Sequence, residues 1–187
     1  MNKRGFTIFF AILVASLALA VGFSIYDLLI RELQLSEAGT QSQYAIYAAD
    51  TGAECALYWD AKYINAGTNN NGGSNGAFAT SSVDTLAPGA GSGILCNSID
   101  ISSNANNSLI IGNGGSNNWN IIYDPVTPTV AATTTFYISL GTAAKDPCVR
   151  VEVGKRGDPP QTIVIAHGYN TCSTGILRLE RVLQVSY

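Results

Sequence analysis

The sequence predicts an α+β protein, a long N-terminal helix that spans a membrane with its first half and packs the rest on an antiparallel sheet. Three observations carry that expectation. Residues Phe6 to Tyr26 contain no charged side chain. The chain then runs on to Tyr63 without a proline. The last third alternates apolar and polar residues with period two, interrupted by turn signals.

The helix comes first. Residues 6–30 would measure about 37 Å at 1.5 Å per residue, enough for a hydrocarbon core of about 30 Å. Lys3 and Arg4 precede the apolar run and hold its N-terminus on the cytoplasmic side. Asp27, Arg31 and Glu32 fall at its far end, where charge is tolerated. Residues 31–64 continue the helix. There Tyr44, Ala48, Thr51, Cys55 and Tyr58 recur at alternating steps of four and three, with Ile46, Ala53 and Leu57 widening the stripe. This face is expected to pack on the sheet. Gly39 and Gly52 each weaken the helix by roughly 1 kcal/mol relative to alanine, which makes a bend near either plausible.

Residues 65–120 are an Asn/Gly-rich loop excursion, with turn-forming runs such as NAGTNNNGGSNGAF and apolar islands at Ile94-Leu95 and Ser108 to Ile111. Residues 121–187 form the sheet head. TTTFYISL is one strand. In CVRVEV, Val149, Val151 and Val153 alternate with Arg150 and Glu152, and TIVIA follows after the break KRGDPP. In the closing GILRLERVLQVSY, Leu177, Leu179, Leu183, Val185 and Tyr187 share one side, with Arg181 as the exception. Such alternation describes antiparallel strands with one buried face, which receives the helix stripe.

Composition narrows the function. Charged residues make up 12% of the 187, against roughly a quarter in soluble domains. The formal net charge of -3 offers no basic footprint, so nucleic acid is not an expected partner. Four cysteines, Cys55, Cys96, Cys148 and Cys172, contain no CxxC pair. Behind an export segment an even number points to disulfides, and four allow three pairings. Folding a hairpin about Gly157 brings Cys148 near Ala166 or His167, and the chain must return through Cys172 at the same end. Cys148 and Cys172 are therefore a plausible pair, worth roughly 3–4 kcal/mol in the chain-entropy model. Cys55 with Cys96 follows only by elimination.

No enzymatic site emerges. His167 is the only histidine, and AHGYN has no nucleophile elbow. NNNGGSNG and GNGGSNN lack the GK[ST] of a phosphate loop, and no calcium-loop pattern occurs. No cofactor or metal is expected. Tyr58, Trp59 and Tyr63 read as sheet-packing residues more readily than as a sugar platform.

The opening residues admit three readings. A secretory signal would end at the small-x-small site ALA and be cut after Ala20, although the apolar character runs on through VGFSIYDLLI. An uncut single-pass anchor fits the length equally well. In the third, the basic leader Lys3-Arg4 ends in Gly5 and the apolar helix starts at once with Phe6-Thr7. This resembles the class III signal of type IV pilin-like proteins. The resemblance implies that residues 1–5 are a leader, that prepilin peptidase cuts after Gly5, and that Phe6 becomes the N-methylated first residue. Downstream, QSQYAIYAADTGAECALYW and RLERVLQVSY are similar to segments of minor pilins of the PilX type. Major pilins of this class carry a glutamate five residues into the mature helix, where this chain has Phe10. That departure points to a minor subunit rather than a repeating one. The implied partners are other pilin or pseudopilin subunits, prepilin peptidase, the inner-membrane assembly machinery, and membrane lipid before assembly. The implied location is the bacterial inner membrane, then a pilus or the cell surface, with adhesion among the possible roles.

Overall fold

The computed structural model describes residues 4–62, 77–78, 94–101, 119–125, 131–157, 161–173 and 178–187. One helix, α1 (Arg4–Lys62), is followed by β1 (Leu95–Cys96), β2 (Ile99–Asp100), β3 (Trp119–Tyr123), β4 (Ala131–Ser139), β5 (Cys148–Arg156), β6 (Gln161–Tyr169) and β7 (Glu180–Ser186). The protein has the expected α+β arrangement. It divides into two units between Thr40 and Gln41.

The first unit is the apolar part of α1. Its described large side chains, from Ile8 through Leu35, are all exposed. Few side-chain bonds support it: Ser16 Oγ donates to the Leu13 carbonyl at 2.8 Å, and Arg31 pairs with Asp27 one turn earlier at 3.0 Å. These contacts are local to the helix, as is that of Thr40 Oγ1 to the Ser36 carbonyl at 3.1 Å, and among its described residues this unit buries no large apolar side chain.

In the second unit, residues 41–62 of α1 lie on a five-stranded antiparallel sheet of order β3-β4-β5-β6-β7. Each strand pairs with its neighbour in the chain, a meander with short connections. Val149, Val151, Val153 and Val164 are fully buried under the helix, with Phe136 and Ile138 on β4. Phe78 stacks on Phe136 with ring centroids 5.7 Å apart. The outer positions of the same strands, such as Arg150 and Glu152, are half-buried.

The helix face on the sheet differs from the expected one. Tyr44 and Tyr58 are 49% and 55% exposed. The buried face is Ala45, Ala48, Ala49, Gly52, Ala53 and Ala56, about a quarter-turn around the helix. The cause is close approach. A Cβ on Gly52 would stand 2.7–2.9 Å from Val149 and Val151, and one on Gly168 would overlap the backbone of Ala45 and Ala49. A tyrosine cannot enter that gap, so the large residues turn outward. Gly39 and Gly52 both lie within the continuous helix.

The expected excursion at 65–120 falls mostly outside the described residues, including the island at Ser108 to Ile111. At the island Ile94-Leu95, Leu95 begins the first strand of a hairpin: Cys96 pairs with Ile99 across Asn97 and Ser98. Those two residues have φ of 49° and 63°, the left-handed conformation that a two-residue hairpin turn demands. The sheet begins with β3 at Trp119, just before the expected boundary at 121.

Candidate functional site

Three features could carry function: the apolar helix, the fastenings between α1 and the sheet, and the cysteines. Gly5 and Phe6, the expected processing residues, lie in the first turns of α1. From Ile8 onward α1 is long and apolar enough to cross a membrane. Phe10 is 59% exposed on its surface.

The second half of α1 is held at both ends by polar contacts that sequence reasoning missed. Near its lower end, Asn170 Nδ2 donates to Gln41 Oε1 at 3.0 Å. Arg181 Nε donates to Ser42 Oγ at 2.9 Å. Arg181 is therefore no exception in its row. It shares the helix side of β7 with Leu183 and Val185, which stand opposite buried Ala166 and Val164. At the other end, Lys155 Nζ and Asp60 Oδ1 form an ion pair at 2.5 Å, with side chains only 7% and 5% exposed. The Tyr187 hydroxyl donates to Asp60 Oδ2 at 2.6 Å. Thr162 reaches the same oxygen at a longer 3.4 Å. Partial burial, then the hydrogen bond to this carboxylate, pushes the Tyr187 phenol up to about 12.

A signal for this cluster existed. Lys155 continues the inward row of Val149, Val151 and Val153, while Asp60 follows Ala53 and Ala56 at steps of three and four. Two opposite charges on two buried faces identify partners.

Cys55 and Cys96 form a disulfide with Cα atoms 5.9 Å apart. Trp59, one turn beyond Cys55, donates its indole N–H to the Leu95 carbonyl at 3.1 Å. Asn97 Nδ2 donates to the Ser139 carbonyl at 3.3 Å. The β1–β2 hairpin thus joins the helix to the end of β4. Cys148 and Cys172, the expected pair, are free, buried thiols. Their hydrogen bond, followed by burial, raises the Cys148 thiol above its ordinary range. The same bond lowers the Cys172 thiol. The register places Cys148 opposite Tyr169 rather than Ala166 or His167. Arg156 pairs with Gln161, so the pairing is not centred on Gly157.

His167 lies on the outer face, its Nδ1 2.6 Å from Glu180 Oε1 on β7. Arg178 stacks 3.7 Å over the centroid of Tyr169. Among the described residues, no group of three or more His, Cys, Asp or Glu is arranged to hold a metal ion.

These features define an α+β protein with one exposed apolar helix and a disulfide-fastened head. No family model, curated protein or solved structure matches the chain.

Proposed function

We propose that the protein is a non-enzymatic structural subunit, a minor type IV pilin-like protein. Its N-terminal helix is inserted in the bacterial inner membrane and later takes part in a pilus or secretion pseudopilus. The observation that supports this best is the contrast within α1. One continuous helix is apolar and uncovered in its first part, then buries an alanine and glycine face on the sheet in its second. An apolar surface of that extent needs lipid or neighbouring helices around it. A helix that passes from one to the other fits a subunit that waits in a membrane before assembly. The leader Lys3-Arg4-Gly5 supplies the cleavage signal in this reading, and Phe10 favours a minor position. Its partners would be other pilin or pseudopilin subunits, prepilin peptidase and the inner-membrane assembly machinery.

The test is the N-terminal residue of the protein from native cells, read by peptide mass spectrometry. The proposal expects a start at N-methylated Phe6. A start at Val21 would overturn it in favour of a secreted domain cut after Ala20. An intact Met1 or Asn2 would overturn it in favour of an uncut anchored protein.

A further inference from the structure

Small residues leave a gap on the outer face of the sheet, at the end away from His167. There Ala131 begins β4 between Asp124, just past β3, and Arg156, which closes β5. The Asp124 N–H donates to the Ala131 carbonyl at 3.3 Å, and Ala131 stands opposite Arg156 in the ladder. The acid and the base are therefore about 10 Å apart at the backbone, two strand spacings, with only a methyl group between them. Two residues further along β4, on the same face, Thr133 stands between Ile122 and Gly154. Its hydroxyl thus has an apolar side chain on one flank and no side chain on the other. Pro125 follows Asp124 and walls the end. The result is a cavity of about 240 Å³ lined by Ile122, Asp124, Pro125, Thr133 and Arg156, with Ala131 and Ala132 as its small residues.

We infer that this cavity binds one residue of an uncharged saccharide. A carboxylate only accepts hydrogen bonds, a guanidinium only donates them, and a threonine hydroxyl does both. Asp124, Arg156 and Thr133 therefore ask for a ligand with donors and acceptors at several positions and no net charge. The hydroxyls of a sugar ring satisfy all three at once, whereas a simple anion or cation would suit one of the two charges and be repelled by the other. An ionised carboxylate has about four acceptor positions, so Asp124 serves a ligand beside its contacts within the protein. Ile122, 59% exposed, and Pro125 offer apolar surface to the C–H face of the ring. The volume of about 240 Å³ lies below the roughly 300–1,000 Å³ of common ligand pockets, which limits the occupant to a single residue. Ile122, Ala131, Thr133 and Arg156 stand in a paired ladder, so most of the groups are in place before the ligand arrives and little ordering cost remains. All of the site belongs to the head, and it requires nothing of how α1 is processed.

The test uses the full chain in a mild detergent without a sugar headgroup, and saturation-transfer NMR. The probes are methyl glucoside, methyl galactoside and N-acetylglucosamine as uncharged sugars, with glycine as a zwitterion. Transfer to at least one sugar and none to glycine is expected. Arg156 is exposed, so Arg156→Gln leaves the fold intact, and it should weaken sugar binding about tenfold or more, the loss of one hydrogen bond to a charged group. Glu180→Gln, at the other end of the same face, should leave binding unchanged. Transfer to no sugar, or to glycine alone, overturns the inference. So does sugar binding that Arg156→Gln leaves as strong as in the unaltered chain, or that Glu180→Gln weakens equally, since the sugar would then lie elsewhere.

Discussion

Gly168 on β6 lies against Ala49 of α1 so closely that no side-chain carbon fits between them, since a Cβ would meet the Ala49 nitrogen and Cα and the Ala45 carbonyl. The obstruction is backbone, which cannot rotate away. Replacing Gly168 by Ala is therefore expected to destabilise the head by about 1–3 kcal/mol or more, the usual range for overpacking. Gly154, whose added Cβ would meet its nearest atoms at an ordinary 3.8 Å, is the control. Denaturant unfolding of the two variants should differ in midpoint. Equal midpoints would mean that the helix yields at no cost.

Asp60 and Lys155 are the second place where α1 depends on the sheet. Each charge lies out of water and against the other. Removing one leaves the other buried without a counter-charge, which costs about 3–5 kcal/mol. Lys155→Met alone should lose that much, while Asp60→Leu with Lys155→Met should recover most of it. A double-mutant cycle by denaturant unfolding reads the difference. If the double variant is no better than the single, the pair is not acting through its charges.

The two faces of the molecule were legible to different degrees. Strands have period two, so the alternation in CVRVEV and RVLQVSY shows which residues turn inward, and the valines of β5 obey it. The helix was harder. Tyr44 and Tyr58 carry the largest apolar areas, so area favours their face. The packing distance was instead set by Gly168, which lies more than a hundred residues later in the chain. Helix periodicity locates an apolar stripe but contains nothing about how near its partner will come. Fastenings such as Arg181 with Ser42 were hidden for the same reason, because a polar residue in an apolar row reads as a fault until its partner is known.

Tyr187 makes the head sensitive to alkali. Its phenol is neutral in the folded state up to about 12, whereas in the unfolded chain it ionises near 10. The unfolded state therefore loses the proton first. The stabilisation is fully present below about pH 10 and is lost as pH rises from there through 12. Unfolding midpoints measured across that interval should fall, and Tyr187→Phe should flatten the fall. Tyr169, which burial and then Glu180 also raise, should leave a residual slope.

The Cys55–Cys96 bond closes a loop across a sequence separation of 41, for which chain entropy predicts a loss of about 4 kcal/mol on removal. Cys55→Ser is expected to cost nearly that and to loosen Trp59, whose indole hydrogen bond to Leu95 depends on the hairpin staying in place. The emission of Trp59 should move to longer wavelength in this variant, measured with Trp119→Phe so that one indole reports. An unchanged spectrum with lowered stability would separate the staple from the tryptophan contact.

On the proposed reading, the first part of α1 is matched to lipid, which predicts where a charge is tolerated. Leu17 is 59% exposed, in the middle of the apolar run. Leu33 is as open, at 67%, but lies beyond Asp27 and Arg31. An arginine at the centre of a membrane helix costs about 2.5–3.5 kcal/mol, and much less near the interface. Leu17→Arg should therefore shift the full-length protein sharply out of the membrane fraction, while Leu33→Arg should leave it there. Sedimentation of membranes after carbonate extraction reads both. Equal retention of the two variants would mean that the apolar surface of α1 is covered by protein rather than lipid.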